Sequence, residues 1–167
     1  MTSITFTNLD WRRWQTLVIT TLAFWVSVSL LVDLVLMPSM YATGMMVEPG
    51  FASAGYSIFW IFNRMEMLCG AIALTGILLL ALKQWAADTR WTSISIAVIL
   101  MAIPLVYTYA LTPSMSALGM PLDLFASSAE TPAPMTLLHS GYLGLEFLKL
   151  GLASWLLRDL FTQLVKS

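Results

Sequence analysis

The chain has 167 residues, a net charge of −1, 59% hydrophobic and 10% charged residues, and a mean hydropathy of +0.82. An average soluble domain carries about 25% charged residues, so this much apolar surface calls for lipid as its solvent. The near-neutral charge removes the case for a nucleic-acid partner, and a single cysteine, Cys69, excludes an intrachain disulfide.

Four apolar runs, each near the ~20 residues that cross a hydrocarbon core, predict membrane helices at about 14–37, 56–82, 92–112 and 135–158. Strand alternation is absent, so the backbone satisfies itself as helix rather than barrel. The first run follows Trp11-Arg12-Arg13-Trp14, like the basic region of a signal peptide. It is longer than a signal core and has no small-x-small site before Pro38, so it reads as a retained helix. It carries Asp33. The second run carries Asn63, Arg64, Glu66 and Cys69, the last a small packing residue. The third carries Tyr107, with Pro104 predicted to kink it. The fourth carries His139, Tyr142, Glu146 and Lys149. The connections 38–55 and 113–134 read as loops that follow Pro38 and Pro113, the second Ser/Pro/Ala-rich over 127–134.

Outside the spans the basic residues are Arg12, Arg13, Lys83, Arg90, Arg158 and Lys166. All fall at the two ends of the chain or in its middle connection, whereas the other two connections hold only Glu48, Asp123 and Glu130. This partition predicts N and C termini on the cytoplasmic side of a bacterial inner membrane, or the stromal side of a thylakoid. Trp11, Trp14, Trp85 and Trp91 then form an inner aromatic belt.

An internal repeat organises the chain. Leu36-Met37-Pro38-Ser39-Met40-Tyr41-Ala42-Thr43-Gly44-Met45 returns as Leu111-Thr112-Pro113-Ser114-Met115-Ser116-Ala117-Leu118-Gly119-Met120, identical at seven of ten positions. Phe51-Ala52-Ser53 returns as Phe125-Ala126-Ser127, and Glu66 aligns with Glu146. The expected fold is therefore all-α, one integral membrane four-helix bundle over 1–167, built from two parallel repeat pairs at about 14–86 and 90–163.

A charge within a span costs several kcal/mol unless it pairs or reaches water, so each polar residue needs a partner. At ~1.5 Å rise per residue, Asp33, Arg64 and His139 lie about 28–30 Å from the basic boundary, with Asn63, Glu66 and Tyr107 near the same level. Lys149 lies only about 14 Å from Arg158, near the bilayer centre. Asp33 and Arg64 are the expected ion pair, either a tie between two helices or one wall of an outward-opening ligand pocket. Glu146 and Lys149, three apart, are expected to neutralise each other on a stripe shared with His139 and Tyr142. Glu66 and Glu146, at equivalent repeat positions, are expected near a pseudo-axis, where two sharing carboxylates retain one proton.

His139, the one histidine, offers a single axial ligand to a haem or chlorophyll, or a hydrogen-bonded helix-end residue. Eleven methionines include Met40, Met45 and Met115 beyond the span ends, soft donors for Cu(I) or simply flexible packing. Phosphate loops, nucleophile elbows and zinc-ligand spacing are all missing from the sequence.

The Met37-Pro38 step, Ile58-Phe59 with Asn63, Tyr109 with Pro113, and Leu138-His139 together resemble a family of small four-helix membrane proteins of unknown function. That family is loosely grouped with CopD-like copper-resistance proteins and a cisplatin-resistance-associated transmembrane protein. The resemblance covers roughly 20–155, and Glu146 and Lys149 depart from it. It implies a four-helix fold in a membrane and no particular substrate. The expectation for function is a non-catalytic accessory, assembly or scaffold subunit whose partners are the bilayer and other membrane subunits or a second copy. The alternatives are a small-molecule or copper carrier and a haem- or chlorophyll-binding subunit. No cofactor is required by the sequence.

Overall fold

The structure, a computed structural model, describes residues 8–45, 50–82, 87–125 and 133–166, and these form four helical rods with no strand. The first rod is α1 (Asn8–Leu31), a π turn (Val32–Leu36) and α2 (Met37–Ala42). The second is α3 (Phe51–Ala81). The third is α4 (Ala87–Val106), a π turn (Tyr107–Leu111) and α5 (Thr112–Phe125), and the fourth is α6 (Ala133–Lys166).

The two helix ends expected at Pro38 and Pro113 are not ends. A proline lacks an N–H and its ring crowds the carbonyl four residues back. Here a widened turn stands just before each proline. The Met37 N–H donates to the Val32 carbonyl and the Thr112 N–H to the Tyr107 carbonyl, both five residues back. Such turns absorb the ring and let the helix continue. The segments expected as loops are thus largely helical, with 46–49 and 126–132 outside the described residues. The first rod stops where Gly44 takes a positive φ of 72°, and α3 starts after Gly50 at φ 89°, conformations that favour glycine.

The sequence spacing reappears in the structure. Val32 to Tyr107 is 75 positions, as is Pro38 to Pro113, so the π turns fall at matching places. Val18, Leu22, Trp25, Ser29 and Val32 are buried, and so are Ser93, Ala97, Leu100, Pro104 and Tyr107, each 75 later. Phe62, Glu66, Cys69, Ala73, Gly76 and Leu80 are buried, and so are Tyr142, Glu146, Lys149, Ala153, Leu156 and Leu160, each 80 later.

Backbone contacts join α1 to α3 and α6, and α4 to α3 and α6. The corresponding members α1 and α4 therefore face each other diagonally, as do α3 and α6. Every rod turns one stripe to a common axis.

One half of that axis is dry, built by Val18, Leu22, Ile77, Leu80, Leu100, Leu156 and Leu160. Gly76 lets α3 approach α1 closely: a methyl added there would overlap Val18 Cγ2. Trp11 is buried in this core rather than standing in an interfacial belt. Trp14 packs at its edge, Trp91 is exposed, and Trp85 lies outside the described residues.

Gln15 Nε2 donates to the Leu160 carbonyl at 3.0 Å, which sets the register of α1 against α6. From that tie, at ~1.5 Å per residue, Trp25 stands about 15 Å along α1 and Lys149 about 17 Å along α6. Lys149 is therefore level with Trp25.

Three rods are long and apolar enough to cross a membrane: Trp11–Ala42, Ser53–Ala81 and Trp91–Leu118. The fourth, α6, has 34 residues but includes His139, Glu146, Lys149, Arg158 and Asp159. Glu146 and Lys149 point inward, leaving Leu137, Leu143, Phe147, Leu148, Trp155 and Phe161 exposed. Its average composition therefore understates how apolar its outer surface is.

Candidate functional site

Above the dry core, the stripes of all four rods change character. Trp25 and Ser29 come from α1, Glu66 from α3, Tyr107 from the second π turn, and Tyr142, Glu146 and Lys149 from α6. Glu66 is 0%, Lys149 1% and Glu146 3% exposed.

Lys149 Nζ lies between two carboxylates. It pairs with Glu66 Oε1 and with Glu146 Oε1, the latter at 2.6 Å. The Glu146 contact is the three-residue spacing within α6. The Glu66 contact crosses the bundle diagonal, and it is possible because both side chains meet at the axis. Trp25 Nε1 donates to Glu66 Oε1 at 2.9 Å, and Ser29 Oγ donates to the same oxygen at 3.3 Å. Tyr107 Oη donates to Glu146 Oε2 at 3.1 Å, with the Tyr142 carbonyl 3.4 Å away. Each of the two glutamates thus receives a cation and at least one neutral donor, the pattern that makes a buried carboxylate tolerable.

Aromatic rings close the far side. Tyr107 and Tyr142 stack with centroids 4.6 Å apart, and Phe59 meets Tyr142 edge-on at 5.7 Å. The Lys149 ammonium lies 5.5 Å from the Tyr107 ring centroid and 5.7 Å from that of Phe62. Five polar atoms here have no hydrogen-bond partner: Asp33 Oδ2, Asn63 Oδ1, Glu66 Oε2, Tyr142 Oη, and Glu146 Oε1, whose contact is its ion pair with Lys149. Asn63 uses its other end, donating from Nδ2 to Thr112 Oγ1 at 2.8 Å.

Asp33 joins this group and not Arg64. It sits half-buried in the first π turn, one helical turn beyond Ser29, with its Oδ2 buried and without a hydrogen-bond partner. Side chains on a helix lean toward its N-terminus, which turns Asp33 back toward Ser29 and the cluster. Arg64 is exposed, stacks 3.4 Å over the Trp60 ring and donates from Nη1 to the Trp60 carbonyl. The expected Asp33–Arg64 pair is replaced by these two separate arrangements. Arg64 belongs to the outer surface of α3, whereas Asn63 and Glu66 belong to its buried face.

His139 is exposed, and its Nδ1 lies 3.1 Å from the Met135 carbonyl. It does not share the buried stripe of Tyr142, Glu146 and Lys149. Met40 is buried, Met115 half-buried and Met45 exposed, so the three methionines occupy different environments. Among the described residues, no three His, Cys, Asp or Glu side chains gather at metal-binding distance.

Sequence reasoning missed Trp25 and Ser29. The available signal was their four-residue spacing, which places a polar hydroxyl one turn from an indole N–H in an otherwise apolar run. It also missed Phe62.

Comparison with family models, with curated proteins and with solved structures gives no match to this chain.

Proposed function

We propose that this chain is a multi-pass membrane protein of two parallel, duplicated helix pairs. In this reading it acts as a non-catalytic accessory or scaffold subunit of a membrane complex. All four rods cross the bilayer, with α6 crossing because Glu146 and Lys149 face the axis. Both termini lie on the cytoplasmic face, next to Arg12 and Arg13.

The observation that carries this reading is the closure of the polar cluster. Lys149 bridges Glu66 and Glu146 at the axis and ties the diagonal rods together. Among the described residues, Glu66, Glu146 and Lys149 are committed to that latch, while His139 and Arg64 stand on the surface. What remains for partners is the apolar exterior, including Leu31, Leu34, Phe147 and Trp155.

The test is purification from native membranes in mild detergent. The reading expects a stoichiometric larger assembly. A monomer that, reconstituted alone, transports a small solute overturns it in favour of the carrier reading. A visible absorbance band lost in His139→Ala overturns it in favour of a pigment or haem subunit.

A further inference from the structure

The outer face of α1 carries an open groove near the start of its long apolar stretch. The groove has a volume of about 500 Å³ and is lined by Arg12, Arg13, Thr16, Leu17 and Thr20, all exposed. That volume lies within the roughly 300–1,000 Å³ of small-ligand sites. Steps of three and four residues place these side chains one above another on one helix face. The two threonines are shorter than Leu17 and the exposed Phe24 beside them, which leaves the trough. Thr16 Oγ1 donates to the Arg12 carbonyl at 2.8 Å, so that hydroxyl folds back on its own helix.

The groove is polar at one end only. Neither guanidinium has an ion-pair partner among the described residues, where the carboxylate pairs are those of Lys149. Side chains on a helix lean toward its N-terminus, so both guanidiniums stand at the N-terminal mouth. Leu17, 44% exposed, and Thr20 form the other end. Arg12 to Thr20 is eight positions, about 12 Å along the rod. In a membrane that direction runs from the headgroup level toward the bilayer centre. Arg158 offers a contrast. The bond from Gln15 to the Leu160 carbonyl brings it to the same level, and it too is exposed, but it stands on α6 outside the groove.

We propose that this groove binds one anionic phospholipid of the leaflet beside the chain termini. Two unpaired cations at the mouth and apolar surface further in match such a lipid in order, phosphate first and acyl chain after. Arg12 and Arg13 donate to the phosphate oxygens, for which the planar guanidinium fork is suited. The first carbons of one acyl chain lie along Leu17 and Thr20. A zwitterionic lipid has the same phosphate but carries its own cation, which the arginines repel, so the site prefers a headgroup of net negative charge. The bound lipid fixes the depth of the first rod beside the dry core, at the level where Gln15 meets Leu160.

This inference rests on the membrane reading. If the chain leaves membranes without detergent, that reading fails separately, before any lipid is added. The test is native mass spectrometry of the full chain in detergent micelles, titrated with phosphatidylglycerol, with phosphatidylcholine of the same acyl chains, and with inorganic phosphate. The expected result is one phosphatidylglycerol retained in preference to phosphatidylcholine. Replacing both arginines, Arg12→Gln with Arg13→Gln, should weaken its binding roughly tenfold or more. Arg158→Gln should leave it unchanged. Thr20→Phe fills the exposed groove and keeps both arginines, so it should weaken binding even if the double arginine variant does not fold. Equal retention of the two lipids overturns the proposal. An equal loss in Arg158→Gln, or binding that Thr20→Phe leaves untouched, also overturns it, by showing attraction to the whole basic face. Displacement of the lipid by an equal concentration of inorganic phosphate overturns it too, and marks a free-anion site instead.

Discussion

The two halves of the bundle axis are built on opposite principles. The half beside the termini is a dry stack of Val18, Leu22, Ile77, Leu100, Leu156 and Leu160, with Gly76 bringing α1 and α3 together. The other half is a charged latch of Glu66, Glu146 and Lys149 with aromatic walls. In lipid the dry half gains little from the hydrophobic effect, because acyl chains are as apolar as leucine, so its stability is packing. The latch gains from the same surroundings, because a low dielectric strengthens every satisfied pair and penalises every broken one. The latch is thus directional, since its charges meet in one register alone, whereas the dry half is chiefly packing, tied in register at Gln15 and Leu160. The latch therefore selects the pairing of rods, and the dry core fills the space that selection leaves.

The largest effect should follow from Lys149→Met. It leaves Glu66 and Glu146 facing each other without their cation, and breaking such a buried pair typically costs about 3–5 kcal/mol. Unfolding in mixed detergent micelles measures it. Adding Glu66→Gln and Glu146→Gln should recover most of the loss, since no charge is then stranded. If the single variant is as stable as the parent, the latch is not what holds the outer half.

Next is Leu156→Ala in the dry half, where the side chain is fully buried. Leucine truncations in cores cost about 2–5 kcal/mol, part transfer and part cavity. With lipid as the reference the transfer part shrinks, so the expected loss is about 2 kcal/mol. A loss equal to that of Lys149→Met would erase the distinction between the halves.

Gly76→Ala should cost less, near the low end of the ~1–3 kcal/mol typical of overpacking, since one added methyl meets one Val18 methyl. Val18→Ala should restore it in the double variant. A cost that Val18→Ala leaves untouched would mean the strain lies in the backbone instead.

These contrasts were unequally visible in the sequence. The four rods were legible, because hydrophobic length is a local, additive signal. The Glu146–Lys149 contact was legible too, as a three-residue spacing on one helix. The prolines misled, since a π turn that absorbs Pro38 or Pro113 leaves no mark in composition. The diagonal contact of Lys149 with Glu66, and the roles of Trp25 and Ser29, depend on rotations of whole rods about the axis. No spacing within one helix encodes that rotation. The pairing of Asp33 with Arg64 failed for the same reason: equal depth brought them together on paper, but Asp33 turns inward and Arg64 outward.

That last correction carries the smallest predicted effect. Arg64→Gln removes an exposed guanidinium whose contacts are the Trp60 ring and carbonyl. An exposed cation–π contact is worth about 0.5–1 kcal/mol, which bounds the expected loss. The more telling number is the coupling between Arg64→Gln and Asp33→Asn. A direct ion pair would make the double variant markedly more stable than the sum of the singles predicts. Residues without a shared partner add within about 0.3–0.5 kcal/mol. Here Asp33 is half-buried and Arg64 stands on the exposed surface of α3, so the double-variant cycle should close within that range. A coupling above 1 kcal/mol would return Arg64 to the cluster and move the boundary between latch and surface by a full turn of α3.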